Sequence, residues 1–162
     1  MTTFIIGPTA SSQWGSDPTR LTIGPWSQLG TQASQVRTAV FVHEQNIPAE
    51  MEWDVADQTA VHAVICDAQG EPVATGRLLV HAPGVGRIGR MAVLAHQRGQ
   101  GLGQQVLEAL VQAARKRGDA EACLHAQTSA QGFYERLGFT PRGEVYAEVG
   151  IPHIEMVLDI RQ

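Results

Sequence analysis

Met91-Ala-Val-Leu-Ala-His-Gln-Arg-Gly-Gln-Gly-Leu-Gly103 is the stretch that decides the fold. An apolar strand ends within it, and a loop with one arginine and three glycines leads into an amphipathic helix opened by Gly101 and Gly103. A helix start leaves its first backbone N–H groups unpaired, and the macrodipole adds about half a positive charge there. Glycines let the backbone approach a ligand with no Cβ in the way. The stretch therefore reads as a pocket for an anion, best a phosphate or pyrophosphate.

Spacing narrows the cofactor. A Walker A loop needs lysine and then a hydroxyl residue after its last glycine, but Gln104, Gln105 and Val106 follow Gly103. A dinucleotide fingerprint needs a third glycine where Val106 stands. What remains is Arg98-Gly-Gln-Gly101-Leu-Gly103, an Arg/Gln-x-x-Gly-x-Gly/Ala pattern. It resembles the pyrophosphate loop of the GNAT superfamily of N-acetyltransferases, which bind acetyl-CoA.

Three further segments carry the same resemblance in the same order. Arg37-Thr-Ala-Val-Phe41-Val-His-Glu44-Gln45 is similar to the Arg-x-x-Val-Phe-x-x-Glu-Gln segment of the first helix in many members. Ala130-Gln-Gly-Phe133-Tyr134-Glu-Arg-Leu-Gly138-Phe139 resembles Ala-x-x-Phe-Tyr-x-x-x-Gly-Phe. Gly150-Ile-Pro-His153-Ile-Glu-Met156 resembles the tail of an ElaA-like branch. The resemblance spans about Leu21 to Ile160.

Composition sets the bounds. At 162 residues and 43% hydrophobic, the chain is one globular domain with a real core. Residues 20–162 form that domain, and residues 1–19, rich in Ser, Thr, Gly and Pro, are an extension that is either a mobile tail or an edge strand around Phe4–Ile6. A net charge of −4 argues against a nucleic-acid binder and is compatible with a cationic amine. No apolar run reaches the roughly 18 residues of a membrane span, and Met1–Ala10 lacks a secretory n-region. Cys66 and Cys123 sit in apolar strands without Cys-x-x-Cys spacing, so core thiols in a cytoplasmic protein are expected. No metal ligand set is evident.

Along the chain, periodicity predicts a strand at Leu21–Ile23 and a helix over Leu29–Glu44 ended by Ile47-Pro48. A polar connection through Trp53 and Asp57 follows. A hairpin of Val61–Cys66 and Val73–Val80 turns at Asp67–Gly70, and a strand over Arg87–Leu94 follows the turn at Pro83-Gly84. Helix Leu102–Lys116 buries Leu102, Val106, Leu107, Leu110, Val111 and Ala114 and stops at Gly118. A strand at Ala122–Ala126, a helix at Ala130–Leu137, and strands at Thr140–Glu148 and His153–Ile160 about a turn at Gly150–Pro152 complete the order. The expected class is α/β, a GNAT fold with a mixed, mostly antiparallel sheet flanked by helices.

The resemblance implies roles by position. Backbone groups of Arg98, Gly99, Gln100, Gly101, Leu102 and Gly103 would hold the pyrophosphate, with Gln104 assisting. The strand end Met91-Ala92-Val93 would pair with the pantetheine arm like an added strand. Gln127 stands where many members carry asparagine and would keep an amide for the cofactor. Phe133 is counted with the cofactor-binding residues and, like Phe139, is expected in the core; Tyr134 would be the general acid for the departing thiolate, or else a cofactor-wall tyrosine without proton transfer. A phenol of reference pKa about 10 can donate to a sulfur near 8.5.

The base is open between Glu44 and His153, with Glu148 and His125 in reserve. A lysine-like amine of pKa about 10.4 is about one part in a thousand neutral at pH 7.4, a cost of roughly 4 kcal/mol, whereas an α-amine costs under about 1 kcal/mol. Trp26 and Trp53 are candidates for lining the acceptor pocket or for core and lid roles. The expected activity is transfer of acetyl from acetyl-CoA to a primary amine of a small molecule or peptide. It proceeds by direct attack in a ternary complex, since no cysteine motif suggests a nucleophile. A non-catalytic acyl-CoA sensor is the rival, a longer acyl donor is a variant, and a homodimer is left open.

Overall fold

A computed structural model describes residues 19–161. The proposed tail or edge strand before them lies outside the described residues. Seven strands form one sheet in the order β1-β2-β3-β4-β5-β7-β6. They are β1 (Arg20–Gly24), β2 (Val61–Cys66), β3 (Pro72–Ala82), β4 (Val85–Val93), β5 (Glu121–Gln127), β6 (Thr140–Glu148) and β7 (Ile151–Asp159). Only β4 and β5 run parallel, so the sheet is mixed and mostly antiparallel.

Three helices flank it: α1 (Trp26–Arg37), α2 (Leu102–Lys116) and α3 (Gln131–Arg136). The amphipathic α2 buries its apolar side, Leu102, Val106, Leu107, Leu110, Val111 and Ala114, as its spacing predicts. That side packs on β3 and β4 so closely that a Cβ on Gly76 would lie 2.8 Å from Val106 Cγ1. Leu124, Ala126, Ile154 and Met156 extend the same core to Phe133, Tyr134 and Phe139 around α3. On the opposite face α1 covers β2, with Leu29 and Ala33 against Val64.

The first helix and the last hairpin depart most from the sequence reading. The first helix begins at Trp26, directly after Pro25, whose fixed φ suits an N-cap of extended backbone. It stops being α-helical at Arg37, and Thr38–Glu44 winds as a π-helix, with Gln45 N–H donating to Val40 O at 3.0 Å. Hydrophobic spacing does not distinguish the two windings over so short a run. The last hairpin turns at Val149-Gly150, both at positive φ, rather than at Gly150–Pro152, so β7 starts at Ile151. Two consecutive positive φ values give the turn that suits the twist of a two-residue hairpin.

The connection from the π-helix to β2 is anchored by buried charge. Arg37 donates to both oxygens of Asp57, at 2.8 and 3.0 Å. Arg77 of β3 reaches Asp57 at 2.8 Å and Asp54 at 2.7 Å. Arg90 of β4 donates to Glu52 O and to Asp54. His62 Nε2–H donates to Asp57 O at 2.9 Å, and Trp26 packs on His62 and under the Arg37 guanidinium. Trp26 is thus a partly buried anchor packed against the core, while Trp53 is 52% exposed.

Asp57 is fully buried, and its removal takes the shared carboxylate from two buried guanidinium groups, leaving Arg37 with Glu52 and Arg77 with Asp54 as carboxylate partners. Asp57→Ala is expected to cost about 3–5 kcal/mol in chemical denaturation. A loss under about 1 kcal/mol would mean that the connection relaxes into water. Hydrogen bonds from Arg77 hold the Asp54 carboxyl at about 2, below its ordinary 3.8. A carboxyl depressed by folding stabilises fully above its unfolded value, so this contribution fades as pH falls from about 4 toward 2.

Candidate active site

The parallel pair sets the geometry of the site. β4 and β5 are hydrogen-bonded only at Val85–Arg87 and Glu121–Cys123. Beyond these pairs β4 continues to Val93 and β5 to Gln127 with no pairing between them. The strands therefore part toward their C-terminal ends, at the point where ligands of open α/β sheets bind. A β-bulge accompanies the separation: the register on β3 shifts between Thr75 and Arg77, and Arg90 takes φ 51°. Bulges bend a strand and re-aim its edge. Met91, Ala92 and Val93 are buried, with Ala92 and Val93 paired to β3, so their other backbone edge faces the gap.

The glycine loop opens at the same end. After the turn at Ala95–Gln97, Gly99 and Gly101 take φ 86° and 80°. Gly101 is the N-cap of α2, without a side-chain cap and with no acidic residue in the first turn. The first helical bond is donated by Gln105 N–H to Gly101 O, which leaves the N–H groups of Leu102, Gly103 and Gln104 at an open, positive helix end. A Cβ on Gly101 would meet nothing among the described residues within 4 Å, which leaves space over it for a ligand. These features fit the pyrophosphate of an acyl-CoA. The Gln104 side chain donates to Glu108 on its own helix at 2.9 Å.

Arg98 and Glu44, predicted for separate roles, meet each other. The Arg98 guanidinium donates to both Glu44 oxygens, at 2.7 and 2.6 Å, and its Nε–H donates to Val93 O at 3.0 Å.

Tyr134 stands on α3, which follows β5 through the turn Thr128–Ala130. It is 2% exposed and edge-on to Phe133 and Phe139. Burial raises its pKa well above the ordinary value, so the phenol keeps its proton at neutral pH.

His153, Gln127, His125 and Glu148 come together with Tyr146, which the sequence reading omits. His153 pairs in register with Gln127 on β5 and with Tyr146 on β6. Its Nδ1–H donates to Ile151 O at 2.7 Å, because a carbonyl only accepts, and a neutral ring then carries its lone pair on Nε2. That Nε2 lies 3.5 Å from Glu148 Oε2 and makes no hydrogen bond among the described residues. The buried Gln127 Nε2 has none either. Tyr146 stacks on His153 at 5.9 Å between centroids, and its hydroxyl is hydrogen-bonded to His125 Nδ1. Burial lowers the His125 pKa and raises that of Tyr146, so both are neutral near pH 7. The two-residue turn at Val149-Gly150 could have revealed Tyr146, since it puts residue 146 opposite 153.

Both cysteines are free, and burial pushes the Cys123 thiol up to about 11, as for a core thiol. No cluster of three or more His, Cys, Asp and Glu among the described residues could hold a metal. No helix among them is long and apolar enough to cross a membrane.

Comparison with known proteins agrees with this architecture. A family model described as an acetyltransferase (GNAT) domain matches residues 29–160. The Bacillus subtilis protein named as the N-acetyltransferase YjcF is 38% identical over 128 residues, covering 78% of this chain and 90% of that protein. The crystal structure of Escherichia coli ElaA superimposes with a TM-score of 0.79 at 32% identity, over 88% of this chain and all of ElaA. An acyl-CoA N-acyltransferase from Pseudomonas aeruginosa gives a TM-score of 0.78 at 37% identity, over 87% of this chain and 99% of its own. Parted parallel strands, an uncapped glycine-opened helix and these matches lead to one conclusion: the chain belongs to the GNAT acetyltransferase family and is an enzyme of the acyl-CoA N-acyltransferase fold.

Proposed function

We propose that this enzyme moves an acetyl group from acetyl-CoA to a primary amine of a small molecule or peptide, by direct attack within a ternary complex. The observation that carries the reading is the pair of buried polar atoms, His153 Nε2 and Gln127 Nε2, that make no hydrogen bond among the described residues, on register-paired residues at the end of the parted strands. Buried polar atoms without partners are rare in folded proteins. One is an acceptor, suited to an amine N–H, and the other a donor, suited to a carbonyl oxygen.

When bound, acetyl-CoA supplies an activated thioester. The N–H groups of the Gly99–Gln104 stretch hold its pyrophosphate, and the edge of Met91–Val93 that faces the gap, where Val93 O already accepts from Arg98, takes its arm. His153 removes the amine proton through Nε2, with Glu148 at 3.5 Å to stabilise the imidazolium that forms. Tyr134, kept protonated by burial, donates to the leaving sulfur. Glu44 already has both oxygens on Arg98, which favours His153 over it as base.

Thiol release measured across a panel of amines and amino acids tests the reading, with mass-spectrometric detection of the acetylated product. Amine-dependent turnover is expected, and His153→Gln should lower kcat/KM about tenfold. The loss is modest because Glu148 remains as a nearby proton acceptor. Acetyl-CoA binding with no turnover on any amine would favour a non-catalytic sensor. Faster turnover with longer thioesters would change the donor.

A further inference from the structure

We propose that Glu44 and Arg98 act as one unit, a clasp that positions the cofactor loop, so that neither works alone as base or as phosphate ligand. The inference rests on the reading that the 98–104 loop receives the cofactor.

Three observations carry it. The pair is bidentate, with both carboxylate oxygens and both terminal guanidinium nitrogens engaged. Such a fork fixes direction as well as distance. The third Arg98 contact, Nε–H to Val93 O at 3.0 Å, ties the guanidinium to the last residue of β4. Arg98 therefore joins the end of β4, the start of the glycine loop and the end of the π-helix in one place.

The Glu44 end is fixed as firmly. Glu44 closes the π-helical run, Gln45 N–H donates back to Val40 O, and Ile47 N–H donates to Phe41 O at 2.9 Å across Asn46 at φ 59°. Such π-helical segments are uncommon and recur at functional sites. Here the winding delivers a carboxylate to the cofactor loop.

The charges also balance. Beside an anion site, Glu44 alone would repel phosphate and Arg98 alone would attract it, but paired they cancel. Attraction for the pyrophosphate is then left to the backbone N–H groups and the α2 dipole. The clasp controls where those groups stand.

The test is a double-mutant cycle of Glu44→Ala, Arg98→Ala and the double variant. It reads the Kd for coenzyme A, kcat and KM with the best amine, and Tm. Each single variant should weaken coenzyme A binding about five- to tenfold and raise KM for acetyl-CoA alike, with kcat within about threefold of the unaltered enzyme. The double variant should be no worse than the weaker single, and Glu44→Asp should recover part of the loss.

Tighter binding in Glu44→Ala would overturn the proposal, because Arg98 would then be a phosphate ligand restrained by its partner. Additive losses would overturn it as well. So would a fall in kcat with an altered pH profile in Glu44→Ala, since Glu44 would then be the base. If the unaltered enzyme holds coenzyme A elsewhere, the loop reading itself falls. If coenzyme A sits on the loop and neither variant changes its affinity, the clasp alone falls.

Discussion

Gly101→Val is expected to weaken coenzyme A binding about a hundredfold while the protein stays folded. The residue caps α2 at φ 80°, in the left-handed region. A β-branched side chain there is an outlier, and left-handed backbone costs an L-residue about 1–2 kcal/mol. The described residues do not oppose the side chain, since a Cβ at 101 finds none of them within 4 Å. The backbone can relieve the strain by rotating, but rotation turns the N–H groups that open the helix. Each hydrogen bond lost to a charged phosphate is worth about 1.5–3 kcal/mol. Strain and misdirected N–H groups together reach the hundredfold level, at about 1.4 kcal/mol per factor of ten. Titration calorimetry with coenzyme A, beside a thermal melt, separates the two effects. Unchanged affinity in a folded variant would remove the loop from the cofactor site.

Tyr134→Phe should reduce kcat about a thousandfold and change coenzyme A affinity less than about threefold. General acid catalysis commonly contributes 10²- to 10⁴-fold, and burial keeps this phenol protonated far beyond neutral pH. The ring remains against Phe133 and Phe139 in the variant, so the wall it forms is preserved. Only the hydroxyl is lost. Pre-steady-state measurement of thiol release would register the loss in the chemical step. Full turnover in the variant would leave Tyr134 as wall and transfer its proton to water.

Local patterns made much of this fold legible. The glycine loop, the apolar side of α2 and the β2–β3 hairpin about Asp67–Gly70 all follow from short-range spacing, and each is found where that spacing puts it. Long-range relations were hidden. Nothing local to Glu44 or Arg98, 54 residues apart, announces that they share a guanidinium–carboxylate fork. Arg37 was legible as part of a family-like segment, but its burial against Asp57 depends on how the connection after the π-helix folds back. Tyr146 escapes the sequence reading because a turn at Gly150–Pro152 would set Val149, not Tyr146, opposite His153. Register follows from the turn, so misplacing the turn changes every pairing along the hairpin.

The segment between the π-helix and β2 has only the short 3₁₀ turns Ala49–Met51 and Val55–Gln58 as regular structure, yet guanidinium groups from α1, β3 and β4 grip it from beneath. It displays Met51, Trp53 and Val55 outward on that footing. A surface held so firmly has lost its conformational freedom at folding rather than at docking. Any molecule docking there would forfeit mainly its own entropy and would be selected by fit against a pre-set wall rather than by rearrangement around it.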